Sequence, residues 1–239
     1  MESKLDALIV LSGGMDSTVA LYRYAKYENV KAVNFYYGSK HNEQERIRAK
    51  KSCEKLNVEL ITIDLGFINN LFKSNLLQKG GDIPLGHYAH KTMKKTVVPF
   101  RNGIMLSVAS GLAESLGASR VILGNHKGDH AVYPDCTDTF SLHMREAIKN
   151  GTYAEISLET PFVNNTKTEI ASFGDQLNVD WNNTYSCYNG GEVHCGLCST
   201  CYERREAFFD SNVHDPTQYI DKTPFEDLRK RYIEDLQTV

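Results

Sequence analysis

The sequence lacks any long uncharged run. The widest gap between charged side chains is the twelve residues from Asn102 to Ala113, whereas a membrane-spanning helix needs about 20 predominantly apolar residues. A membrane partner is therefore not expected. The opening stretch MESKLDALIVLSGG carries Glu2 and Asp6 and offers no small-residue cleavage site after an apolar core. A secretory signal is not expected either, and the expected compartment is the cytoplasm. Positive charge is not in surplus: 27 Lys+Arg face 30 Asp+Glu, for a formal net charge of -3. Non-specific nucleic-acid affinity comes mainly from Lys and Arg neutralising phosphates, so a small polar substrate is favoured over tRNA or DNA. No internal repeat or low-complexity tract is visible, and 41% hydrophobic with 24% charged residues is ordinary globular composition, which excludes disorder. The motif G-x-x-x-x-G-K-S/T is also missing, and with it the lysine by which kinase and GTPase loops grip β- and γ-phosphates.

What is present is a repeated switch between short apolar runs and longer helical periods, which reads as an α/β fold with a parallel, Rossmann-like sheet. Leu5 to Leu11 is a buried-strand run, followed by a glycine turn and a helix over Asp16 to Tyr27. A second strand over Val30 to Tyr36, a charged helix over Glu43 to Leu56 and a third strand over Val58 to Asp64 follow; consecutive βαβ units imply parallel strands. From about Phe67 to Phe100 the periodicity weakens among Gly80, Gly81, Pro84, Gly86 and Pro99, which predicts a long, partly mobile loop. Its part from Ser74 to Thr96, with His87, Tyr88, His90, Lys79, Lys91, Lys94 and Lys95, is either a lid that excludes water or an ordinary exposed insertion. A helix over Ile104 to Leu116 and a strand over Arg120 to Leu123 come next, then a helix near Asp138 to Lys149 and a strand over Ile156 to Leu158. A helix near Lys167 to Leu177 closes the series. The expected division is an α/β domain over 1–180 and a zinc-binding, helical region over 181–239, with helices near Tyr202 to Phe209 and Phe225 to Leu236. The second region is not expected to fold alone.

Ser12-Gly13-Gly14-Met15-Asp16-Ser17 lies between the first strand and the first helix, where backbone N–H groups and the helix dipole converge on an anion. Glycines let the backbone approach a phosphate, and Ser12 and Ser17 add hydroxyl donors. Asp16 beside phosphates makes sense chiefly with a Mg²⁺ ion between the two negative charges. The plainer reading is a strand-to-helix turn in which Ser12 or Asp16 caps the helix.

Cys187-x₇-Cys195-x₂-Cys198-x₂-Cys201 places four of the six cysteines within fifteen residues. Without an export signal this spacing favours metal over disulfides. Four thiolates are what a closed tetrahedral Zn²⁺ site needs, so the metal is expected to be structural; iron–sulfur ligation is the lesser alternative. His194 reads as a satisfied surface histidine. Cys53 reads as a core residue, and Cys136 either packs or lines a pocket.

SGGMDS after a strand resembles the loop of the N-type ATP pyrophosphatases, which bind ATP and release pyrophosphate. LSGGMDSTVA (Leu11 to Ala20), VPFRNGIMLSVAS (Val98 to Ser110), YPDC (Tyr133 to Cys136), TKTEI (Thr166 to Ile170) and SCYNGGEVHCGLCSTC (Ser186 to Cys201) together resemble one branch of them, the 7-cyano-7-deazaguanine synthases of queuosine biosynthesis. The resemblance implies the adenine nucleotide alpha hydrolase-like fold and conversion of 7-carboxy-7-deazaguanine, ammonia and ATP to the nitrile, with AMP and pyrophosphate released. It also implies small-molecule partners and a homodimer. ATP would be held by Leu11, Ser12, Gly13, Gly14, Met15, Asp16, Ser17 and Thr18. Asp16, Ser17, Arg101 and Lys167 would be catalytic, and Arg101, Asn102, Tyr133 and Asp135 would contact the acid. Each residue also has a plain reading: Arg101 in a surface ion pair, Asn102 capping a helix, Asp135 in a turn, Lys167 exposed in a first helical turn. The stretch NHKGDHAVYPDC (Asn125 to Cys136) does not map onto the family, which leaves base recognition open. Competing activities are adenylation of a tRNA base and nucleotide binding by a zinc module without turnover.

Overall fold

The computed structural model describes residues 4–237. Five strands, β1 (Ala7–Val10), β2 (Val30–Tyr36), β3 (Glu59–Asp64), β4 (Arg120–Leu123) and β5 (Ser157–Glu159), form one sheet in the order β3-β2-β1-β4-β5. Every pairing is parallel; Ile9 of β1 sits level with Ala32 of β2 and Ile122 of β4. Strand side chains alternate between faces, and β1 is apolar at all four positions because both of its faces are covered. Leu8 and Val10 join Val33, Leu106, Ala109 and Val121 in one core layer. Ala7 and Ile9 join Val19, Leu21, Ile170 and Trp181 in the other. Each such aliphatic side chain contributes roughly 1.5–3 kcal/mol when fully buried.

The helices are α1 (Met15–Ala25), α2 (Asn42–Leu56), α3 (Phe67–Leu71), α4 (Arg101–Ser115), α5 (Asp138–Gly151), α6 (Lys167–Gln176), α7 (Ser199–Ser211) and α8 (Phe225–Gln237). None among the described residues is long and apolar enough to cross a membrane. The expected α/β order is present throughout, with three differences. The predicted loop from Phe67 to Phe100 contains α3 and a 3₁₀ segment over Lys91–Thr96, and it is tied down by a bridge from Leu85 to Cys198 and by Tyr88 Oη donating to Glu206. Helix α4 begins at Arg101, not Ile104, because Phe100 takes a left-handed conformation (φ 53°) and lays its ring against Gly103, where a Cβ would lie 2.3 Å from it. Helix α7 begins at Ser199, inside the cysteine pattern.

The carboxy-terminal region is packed into the rest of the molecule. Tyr185, Cys187, Cys198 and Cys201 belong to the same core layer as Leu8 and Val121. Fully buried Arg204 donates to Thr184, Ser186, Thr217 and the Trp181 carbonyl, and so pins α7 to the segment before the cysteines.

Candidate active site

In an open parallel sheet, ligands bind beyond the carboxyl ends of the strands where the strand order reverses. Here that point lies between β1 and β4, and an open cleft occupies it, lined by Leu11 after β1, Asn34 and Tyr37 at β2, and Gly124 and Asn125 after β4.

At one end the Ser12–Ser17 loop enters α1. Gly13 has a left-handed φ of 94°, and a Cβ there would lie 2.3 Å from the Glu45 carbonyl oxygen, so only glycine lets α2 pack flush on the loop. Ser12 Oγ lies 3.0 Å from Ser17 Oγ and accepts the Gly14 N–H at 3.0 Å. Gly14 is the N-cap residue, and no side chain caps α1. The capping role considered for Ser12 and Asp16 is thus not taken up, which leaves the first-turn amides without a side-chain partner, as an anion site requires. Leu11, Ser12, Gly14, Met15, Asp16 and Ser17 line the cleft; Thr18 is buried behind them.

Lys167 opens α6, placed there by a reciprocal cap: Thr166 Oγ1 accepts the Glu169 N–H and the Glu169 carboxylate accepts the Thr166 N–H. Its Nζ lies 2.9 Å from Glu203 Oε2 of α7 and 3.3 Å from Asp16 Oδ2. It is not the exposed lysine of the plain reading. Burial alone would lower its pKa, but Asp16, Glu203 and Asp129 outweigh burial and hold it above the ordinary lysine value. Fully buried His126 completes the cluster. Its Nδ1 accepts the Gly128 N–H, so the neutral ring carries its proton on Nε2. Nε2 lies 3.4 Å from Asp129, 3.6 Å from Glu203 and 3.9 Å from Asp16, and makes no hydrogen bond to any described residue. Burial pushes the Asp129 carboxyl up, whereas Lys167 holds Glu203 down against burial. Asp16 Oδ1 is buried with no hydrogen-bond partner.

At the other end Arg101 enters the cleft from the start of α4, donating to Tyr37 Oη at 3.3 Å with its guanidinium 5.8 Å from that ring's centre. It makes no ion pair among the described residues, so it is not a surface pair. Tyr37, His41, Glu45, Tyr188 and Cys136 line the same end. Cys136 both packs and lines: it is buried, and its Sγ accepts from Asn102 Nδ2. Asp135 does not line the cleft; its Oδ2 accepts the Asn102 N–H at 2.8 Å and so caps the start of α4. Tyr133 stands one shell back, bonded to Tyr188 Oη at 3.1 Å and Thr96 Oγ1 at 2.8 Å. Among the described residues none from Ser74 to Thr96 lines the cleft.

The four sulfurs of Cys187, Cys195, Cys198 and Cys201 lie within 4.8 Å of one another, and all six cysteines are free of disulfides. The main-chain N–H groups of Leu197 and Cys198 point at Cys195 Sγ, and that of Cys195 at Cys187 Sγ. Such donors favour the thiolate form that a metal needs. The cluster can bind a metal such as zinc. His194 stands outside it and is buried, not superficial, with Nε2 accepting the Ser186 N–H.

A family model described as Queuosine biosynthesis protein QueC matches residues 6–212. The chain belongs to the QueC family. It is 50% identical over 219 residues to a 7-cyano-7-deazaguanine synthase of Porphyromonas gingivalis, covering 92% of this chain and 99% of that relative. It is 46% identical over 217 residues to one of Desulfotalea psychrophila, covering 90% and 99%. Among solved structures, an NMN synthetase from Francisella tularensis superposes with a TM-score of 0.48 at 14% identity, covering 98% of this chain and 85% of that one.

Three cleft residues of this QueC-family chain, Glu45, Asp129 and Glu203, went unmarked in the sequence reading, as did His126, buried against Glu203. His126 and Asp129 fall in the stretch that resisted mapping. Glu203 is two residues past Cys201, which is the one local signal it had.

Proposed function

We propose that the protein is a 7-cyano-7-deazaguanine synthase, which uses ATP to convert 7-carboxy-7-deazaguanine and ammonia into the 7-nitrile. The reading is carried by one observation: a single cleft joins the uncapped start of α1 to the guanidinium of Arg101, in a chain of the QueC family. A carboxylate is a poor electrophile with a poor leaving group. Transfer of AMP to the acid makes a mixed anhydride that ammonia attacks, giving the amide; adenylation of the amide oxygen and loss of AMP then gives the nitrile.

In this reading the loop from Leu11 to Ser17, backed by Thr18, holds ATP, and the first-turn amides of α1 with Ser12 and Ser17 stabilise charge on the departing pyrophosphate. Lys167, held beside Asp16 by Glu203, neutralises the phosphate chain. The unpartnered Asp16 Oδ1 suits the Mg²⁺ that accompanies ATP. Arg101 grips the acid through its guanidinium fork and aligns an oxygen with the α-phosphate. Asn102, Asp135 and Tyr133 serve the acid by fixing the start of α4 and the Tyr188 ring. Cys187, Cys195, Cys198 and Cys201 hold a structural Zn²⁺ with no position left for substrate. The family reading extends to a cytoplasmic homodimer over an α/β unit, 1–180, and a zinc-binding region, 181–239; light scattering tests the dimer.

The test is a mass-spectrometric time course with purified protein, Mg²⁺, ATP, ammonium and 7-carboxy-7-deazaguanine. Amide rising and falling ahead of nitrile, with AMP released at both stages, is expected. AMP without nitrile would keep the nucleotide site and reject the acid as substrate. Stoichiometric ATP binding without AMP would reject catalysis.

A further inference from the structure

Glu45, in the first turn of α2, is the carboxylate at the Arg101 end of the cleft. It accepts no hydrogen bond from any described residue, and its one close polar neighbour is His41 Nε2, 3.7 Å from Oε2. Its main chain lies flush against the phosphate loop at Gly13, so the side chain stands beside the place where the nucleotide would react. The groups around it are Tyr37 from the end of β2, His41 from the start of α2, Arg101 from α4 and Tyr188 from the cysteine-rich segment. Asp16 and Lys167 line the same cleft but make no ion pair with Glu45. His41 is buried and kept neutral, its pKa lowered to about 3, and it stacks on Tyr188 with ring centres 5.2 Å apart.

Charge decides what Glu45 is for. The charged group that acts on Glu45 is the cation Arg101, and the proposed reaction brings one anion, the acid, and one cation, ammonium. Arg101 suits the acid. An ammonium ion beside Glu45 finds an unpaired carboxylate, aromatic faces that attract cations, and hydroxyl and imidazole acceptors.

We propose that Glu45 binds the ammonium co-substrate and takes one of its protons, releasing ammonia beside the activated carboxyl group; this deepens the synthase reading and rests on it. One N–H proton of ammonium passes to a Glu45 oxygen. The freed lone pair forms the C–N bond, the C–O bond to AMP breaks with its electron pair leaving on AMP, and the new nitrogen loses its second proton to water. Burial supports this assignment, since it lifts the Glu45 carboxyl to about 8 while Arg101 pulls the other way. A base is most useful when its pKa lies near the working pH.

The experiment compares wild type, Glu45→Gln and Glu45→Asp in the full zinc-loaded chain, with ammonium or hydroxylamine as nucleophile, alongside acid-dependent exchange of labelled pyrophosphate into ATP. Hydroxylamine is uncharged at neutral pH and needs no such base. Glu45→Gln is expected to lose about 10²-fold or more in kcat/KM for ammonium at pH 7 but less than about threefold for hydroxylamine, with exchange retained. Glu45→Asp keeps the carboxylate and should fall between. Because Glu45 works only when ionised, the wild-type rate with ammonium should rise with pH and level near 8, whereas the Gln variant should keep rising with free ammonia. Equal losses with both nucleophiles, or no loss with ammonium, would overturn the assignment. Wild type without acid-dependent exchange would overturn the synthase reading and this proposal with it.

Discussion

Lys167 shows how much of the site depends on one charge. Its ammonium lies between Asp16 and Glu203, with Asp129 close by, so removing it leaves three carboxylates facing one another where the proposed function puts the phosphates. Lys167→Ala is expected to cut acid-dependent pyrophosphate exchange by about 10²–10³-fold and to weaken ATP binding, read by calorimetry; unchanged exchange would reject the role. At this scale the sequence was legible where chemistry sits in a local motif. Asp16, Ser17 and Arg101 all line the cleft. It was not legible where the fold assembles a group from distant segments, as with Glu203, Asp129 and His126, which share no spacing with Asp16. Asp135 is the converse case. Its acceptor character was read correctly, but both the position and the bond to Asn102 direct it to the helix start.

Among the elements, α4 and α6 serve the cleft through their first turns. Asp135 supplies a side-chain acceptor at the start of α4, because Phe100 at the N-cap makes no side-chain bond. Asp135→Ala should therefore cost about 1–2 kcal/mol of stability and raise KM for the acid more than for ATP, since Arg101 adjoins the loosened turn. Denaturation midpoints and steady-state kinetics check the two halves; a stability loss with unchanged KM would make the cap purely structural. The strands and long helices were readable from period alone. The missed elements are those where period has no room to declare itself: α3 has five residues and the Lys91–Thr96 segment six. The opening of α7 was obscured because Cys198 and Cys201 serve the sulfur cluster and leave its first turn without an apolar stripe.

For the molecule as a whole, the cysteine-rich region is tied to the nucleotide loop. The Tyr185 N–H donates to the Gly13 carbonyl at 2.9 Å, and Tyr185 and Tyr188 flank Cys187 while lining the cleft. Stripping the metal with a chelator should thus lower the melting temperature and abolish ATP binding together, and restoring zinc should recover both. Calorimetry with and without chelator checks this; ATP binding that survived full metal loss would separate the two regions. The α/β class was visible in the alternation of apolar runs. The convergence of residue 203 on residue 16 was not, since it depends on how α7 packs on α6.

That convergence has a consequence for synthesis. A chain emerging from the ribosome displays its Ser12–Ser17 loop well before the partner that holds Lys167 beside Asp16, which lies in α7. The incomplete polypeptide thus carries the loop without a working cradle. A copy that stops short of α7 would therefore lack the proposed nucleotide cradle and would not be expected to consume ATP.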